Sequence, residues 1–202
     1  MRTLLIESSP GAGSEAAAAL ADAGHPVLRC HEQGQPTFPC GDLAEPGSCP
    51  LHGPGAVDVV LSVRHPDDAE PTAAEAGVTC ALRAGVPVVV LGDQDANPFA
   101  ALTVPVADDD PVAAVVAAYQ AGREVTAAPL RAEVERLLVE AGASTEGVSV
   151  DVDREGERYR IAVAVPADLP ITNESIATHV HARFREGGHP AQTIDVAVRS
   201  LT

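Results

Sequence analysis

The chain reads as α/β: a five-stranded parallel sheet within residues 1–123, followed by a small α+β domain. Three features point there. Short apolar runs alternate with helical segments up to about residue 123. The pattern then changes to helix, period-two hairpin, helix and strand. Between the second and third strands, a cysteine-rich segment stands where the alternation leads one to expect a helix.

The elements follow in order. Residues 3–8, TLLIES, are a short apolar run of the kind buried on both faces of a parallel sheet. Residues 13–24 form a helix with Ser14 placed to cap its start and Gly24 to stop it. Residues 25–30 are a second strand and residues 56–63 a third. A helix over residues 71–85 opens on Pro71 and closes on Gly85. Residues 86–93 make a fourth strand, residues 101–106 a fifth, and residues 109–122 a closing helix. Residues 124–128 read as a linker. The second domain, residues 129–202, begins with an amphipathic helix over 129–142. A hairpin over 148–166 turns at DREGE, a helix covers 172–188, and a strand closes at 193–201.

Composition narrows the partners. All 13 basic residues are Arg against 29 acids, a net charge of −16. Such a chain is repelled by nucleic-acid phosphates and by anionic membrane surfaces. From Pro129 onward, eight Arg face twelve acids, so no basic face for DNA is expected there. Neither nucleic acid nor membrane is therefore an expected partner. No window approaches the roughly 18 apolar residues of a membrane span. The opening MRTLLIESSP has too short an apolar run for a signal peptide. The expectation is a cytoplasmic protein whose cysteines are reduced thiols or metal ligands.

Residues 30–53, CHEQGQPTFPCGDLAEPGSCPLHG, hold three of the 4 cysteines, two histidines, four prolines and four glycines. A loop of that length without secondary structure is uncommon in a compact domain unless function or a cross-link orders it. Ordering each residue costs roughly 1 kcal/mol or more, and few apolar side chains are present to offset that. A structural zinc contributes roughly 10–16 kcal/mol in small peptides. Cys30, Cys40, Cys49 and His52 supply enough ligands for a closed tetrahedral zinc site. His31 is an alternative to His52. Cys80 falls on the stripe Ala73, Ala76, Gly77, Cys80, Ala81 and Ala84, spaced like a buried helix face, which makes it a small core residue. It is also the alternative fourth ligand, because its helix should neighbour the insert. Four thiolates would suit an iron–sulfur cluster as well, and a segment without metal is the third reading.

Specific positions in the first domain repeat a known order. LIESSP sets one acid, Glu7, beside Ser8 and Ser9 after strand one. DVVLSVRHP places Pro66 four residues after Ser62. VVVLGD ends on Gly92 and Asp93, and LTVPV sets Val104 before Pro105. In this order and spacing, residues 1–123 resemble a response-regulator receiver domain, with its flavodoxin-like sheet; the insert then replaces receiver helix two. The resemblance implies an acidic pair after strand one, a phospho-accepting Asp ending strand three, a hydroxyl residue after strand four, and a Lys before the Pro after strand five. Only Glu7 is kept. Ser62, Gly92 and Val104 stand at the other three places. Phosphotransfer to a receiver needs a carboxylate nucleophile, a divalent cation held by several oxygens and a cation for the phosphoryl group. The resemblance therefore implies a degenerate, phosphorylation-independent pseudo-receiver.

The second domain resembles the alkaline-shock-protein family in VAVPADLPITNESIATHVHARF followed by TIDVAVRSL. That family supplies no catalytic residues to carry over.

Two function classes follow. The first is a non-catalytic regulatory or scaffold protein in signalling, binding a protein partner or a second copy of itself through a metal-stabilised loop. The second is a ligand-binding protein or enzyme that takes an anionic small molecule in the crevice at the strand C-termini. That crevice would be lined by Ser8, Ser9, Ser62, Arg64, His65 and Asp93. No converging acid–base set marks a catalytic residue, which favours the first class.

Overall fold

The computed structural model describes residues 1–31, 40, 49–51, 57–68, 70–107, 109–155, 158–189 and 193–201. Most of the cysteine-rich segment, His52 included, lies outside them. The chain divides into two compact units, Met1–Ala121 and Gly122–Thr202.

The first unit is α/β. Its strands are β1 (Thr3–Glu7), β2 (Val27–Arg29), β3 (Val59–Val63) and β4 (Val88–Leu91), in the order β2-β1-β3-β4 and all parallel. Leu4, Leu5, Ile6, Val59, Val60, Leu61, Val88, Val89 and Val90 are buried, as strands covered on both faces require. Successive side chains take opposite sides. Leu5, Leu61 and Val89 pack with Ala16 and Leu20 of helix α1 (Ser14–Asp22). Leu4, Ile6 and Val60 pack with Val78 and Ala81 of helix α2 (Ala76–Arg83). Gly13, rather than Ser14, is the N-cap of α1.

Two expectations change here. The expected fifth strand, residues 101–106, is a single parallel bridge from Val104 to Val89. Val104 N–H donates to the Val88 carbonyl at 2.8 Å. The next carbonyl on that edge, of Val90, accepts from Gln94 Nε2 at 2.9 Å instead. Pro105, lacking an N–H, offers no donor to extend the ladder. The second change concerns Cys80. The buried face of α2 is Gly77, Val78 and Ala81, and Cys80 is exposed. Cys80 is thus not the core residue that the small-residue stripe implied. Ala and Gly have too little apolar area to set a helix's rotation; Val78 sets it.

Helix α3 runs unbroken over Pro111–Glu140. Residues 124–128, expected as a linker, lie inside it. Glu124, Ala127 and Ala128 suit a helix, and Pro129, internal to α3, does not end it. In the first unit, Ala114, Val115 and Ala118 join the α1 side of the core.

The second unit holds a three-stranded mixed sheet, β5 (Ser149–Glu155), β6 (Arg158–Val165) and β7 (Thr193–Ser200). β5 pairs antiparallel with β6, and β7 parallel with β6. Val150, Val152, Tyr159, Ile161 and Val163 alternate inward and meet Leu130, Val134 and Leu138 of α3. Ile176, Val180 and Phe184 of helix α4 (Asn173–Glu186) complete that core. Thr172 caps α4, its Oγ1 accepting from Ser175 N–H at 3.2 Å. Among the described residues, no helix is long and apolar enough to cross a membrane.

Candidate functional site

The C-terminal ends of β1, β3 and β4 bring together most of the residues expected at the crevice. Several of their polar groups, those of Glu7, Ser8 and Arg64, are already used within the protein. Glu7 pairs with the Arg29 guanidinium and accepts from Gly13 N–H at 2.9 Å. Ser8 is buried; its Oγ donates to the Asp68 carboxylate at 2.6 Å and accepts from His65 N–H at 2.8 Å. Its carbonyl accepts from Thr72 Oγ1 at 2.8 Å. Ser8 thus ties β1 to the turn that enters α2.

Arg64 points inward. Its side chain is 2 % exposed and that of its partner Glu75 fully buried. Nε donates to Glu75 at 2.8 Å, one terminal nitrogen donates to the Ala96 carbonyl, and the other donates to the Glu70 carbonyl at 2.9 Å. The second Glu75 oxygen accepts from Thr72 N–H at 2.8 Å. Three bonds from the guanidinium and a paired carboxylate satisfy the charge that burial would otherwise penalise.

The remaining crevice positions are buried, apolar or open to solvent. Ser62 Oγ is fully buried and has no hydrogen-bond partner. Gly92 has φ +118, and a Cβ there would lie 2.8 Å from the Arg64 carbonyl oxygen. Val104 packs against the α1 side of the core. Asp93 is exposed and its carboxylate accepts from Asp95 N–H at 3.0 Å. His65 is exposed, 3.6 Å from Asp67. Ser9 is half-buried, and its carbonyl accepts from Ala12 N–H.

The sequence reading missed Arg29, Asp68, Thr72 and Glu75. Thr72 and Glu75 had a legible signal, the T-x-x-E spacing of a capping box. The bond from Glu75 to Arg64 had none, because it depends on how β3 and α2 pack.

The cysteines form the second cluster. Cys30, at the end of β2, and Cys49 both pack half-buried against the core of Leu4, Ile6, Leu51, Val78 and Ala81. A Cβ on Gly77 would stand 3.1 Å from Cys30 Sγ. Burial first, then the neighbouring Cys40, Cys49 and Cys80, push the Cys30 thiol up to about 11. None of the four is in a disulfide. Among the described residues, no three His, Cys, Asp or Glu side chains form a group that could hold a metal ion. His31 is half-buried; His52 lies outside the described residues.

Compared with known families and curated proteins, the chain matches no family model and no curated sequence.

Proposed function

We propose that residues 1–123 are a non-catalytic, phosphorylation-independent pseudo-receiver, and that the chain is a cytoplasmic regulatory or scaffold protein. It binds a protein partner, with the metal-stabilised segment 30–53 as part of the contact surface. Residues 129–202 are its small α+β second domain. Adding the Val104 bridge beyond β4 extends the order β2-β1-β3-β4 by one position. That matches the 2-1-3-4-5 order of a flavodoxin-like sheet.

The observation that carries this reading is the internal use of the crevice. Glu7 faces Arg29, Arg64 faces Glu75, and Ser62 is sealed from solvent. A divalent cation would find Glu7 already paired with Arg29 and Asp68 already accepting from Ser8, where it needs several free oxygens. An anionic ligand would find Arg64 committed elsewhere. Neither phosphotransfer nor anion binding is then the use of this fold, whereas a surface for protein contact needs no reactive group.

The test pairs two measurements on the full chain. Treatment with acetyl phosphate and Mg²⁺ should add no phosphate by intact mass. Cross-linking in native extract should capture a partner through residues 30–53, and replacing that segment with a Gly/Ser linker should abolish the cross-link. Phosphate on Ser62, or capture unchanged by the replacement, would overturn the reading.

A further inference from the structure

We propose that Cys30, Cys40, Cys49 and Cys80 together are the ligands of one zinc ion, which ties the segment between β2 and β3 to helix α2. The inference deepens the metal-held segment proposed above and rests on that reading for the segment's role. The ligand set rests on the residues themselves.

The geometry begins at Gly77. Cys30 Sγ sits so close to this position of α2 that a Cβ there would be crowded at 3.1 Å. Cys80 follows three residues later, on the same side of the helix. Helical side chains tilt toward the N-terminus, so Cys80 leans back toward the turn where Cys30 lies. Cys80 is exposed, although its residue type is among those most often buried. Its placement is thus not explained by packing.

Cys49 arrives from the other end of the segment. Leu51, two residues on, is buried at 3 % exposure in the core that Cys30 and Cys49 also touch. Cys49 is thereby held over the same side of the sheet as α2. Cys40 is the remaining thiol, lying in the chain between Cys30 and Cys49.

The chemistry explains why four thiols gather. Without a metal, thiols held close together oppose one another's ionisation. Zinc reverses that preference. Each thiol gives its proton to solvent, and the four sulfurs close to about 2.3 Å around the ion. Four thiolates complete a closed tetrahedral site, leaving no position for His52 or for a reactive water. The centre is therefore structural. It cross-links the insert to α2, whose other face packs on β1 and β3 through Val78 and Ala81.

The test uses the full chain purified under reducing conditions without chelator. Metal analysis should find about one zinc per chain. Cys40→Ser and Cys80→Ser should each lose most of it, while His52→Ala keeps it. Cobalt exchanged into the wild-type protein should give the intense sulfur-to-cobalt charge-transfer bands of a tetrathiolate site, a readout that needs no variant to fold. Full zinc in Cys80→Ser with loss in His52→Ala would overturn the ligand set while leaving a metal-held segment standing. Less than about 0.2 metal per chain in the wild type would overturn both. Iron with acid-labile sulfide on the same cysteines would overturn the choice of zinc.

Discussion

Gly92 lies against the backbone of Arg64 so closely that a Cβ on Gly92 would stand 2.8 Å from the Arg64 carbonyl oxygen. The φ of +118 at Gly92 is itself costly for any residue with a side chain. The contact explains why this turn carries glycine. Gly92→Ser should destabilise the first unit by about 2–3 kcal/mol, from backbone strain and the forced shift of β3 against β4. Hydrogen exchange of the β3 and β4 amides would check this; wild-type protection in the variant would refute it.

The buried pair Arg64–Glu75 should behave as a unit. Removing either partner leaves a charge with 2 % exposure or none. Glu75→Ala should therefore cost about 3–5 kcal/mol, whereas replacing both residues by apolar ones of similar volume should cost far less. Urea unfolding followed by far-ultraviolet circular dichroism would measure both. A single substitution costing under about 1 kcal/mol would show that the pair has little structural weight.

Ser62 offers the opposite case. Its hydroxyl is buried and has no partner. Removing an unsatisfied buried polar atom relieves a desolvation cost that an ordinary hydroxyl avoids by bonding. Ser62→Ala should be neutral or stabilise by about 1 kcal/mol. A loss above that amount in urea unfolding would mean that the hydroxyl is bonded after all.

His189 sets a pH dependence in the second unit. Its ring stacks on Phe184, with centroids 4.7 Å apart, and lies 6.2 Å from Tyr159. Burial first, then the Arg154 charge, hold its pKa below the usual 6.5. The unfolded chain then takes up the proton at a higher pH than the folded one. This contribution to stability is complete above about pH 6.5. It falls as pH drops through that value and levels off below the folded pKa. Thermal unfolding at pH 8 and pH 5.5 should show a larger acid loss in the wild type than in His189→Phe. Equal losses would remove His189 as the cause.

Much of the architecture was determined by the sequence alone. Continuous apolar runs such as TLLIE and VVVL can only be buried on both faces, which requires helices above and below a parallel sheet. The alternation through VSVDVD and RYRIAVAV is just as decisive for a sheet with one covered face. The four cysteines were visible too, but not their arrangement. Tertiary structure decided the rest, because in each case the local sequence allowed more than one arrangement. The Ala- and Gly-rich face of α2 left its rotation open until Val78 met the sheet, and that rotation exposes Cys80. The edge beyond β4 was open to a full strand until Gln94 took the Val90 carbonyl. Residues 124–128 suited either linker or helix, and burial of Ala127 and Leu130 in the second core favours the helix. From the sequence, Arg64 was expected to line the crevice, and Glu75 had no assigned role. Packing alone brings them to 2.8 Å and shuts water out.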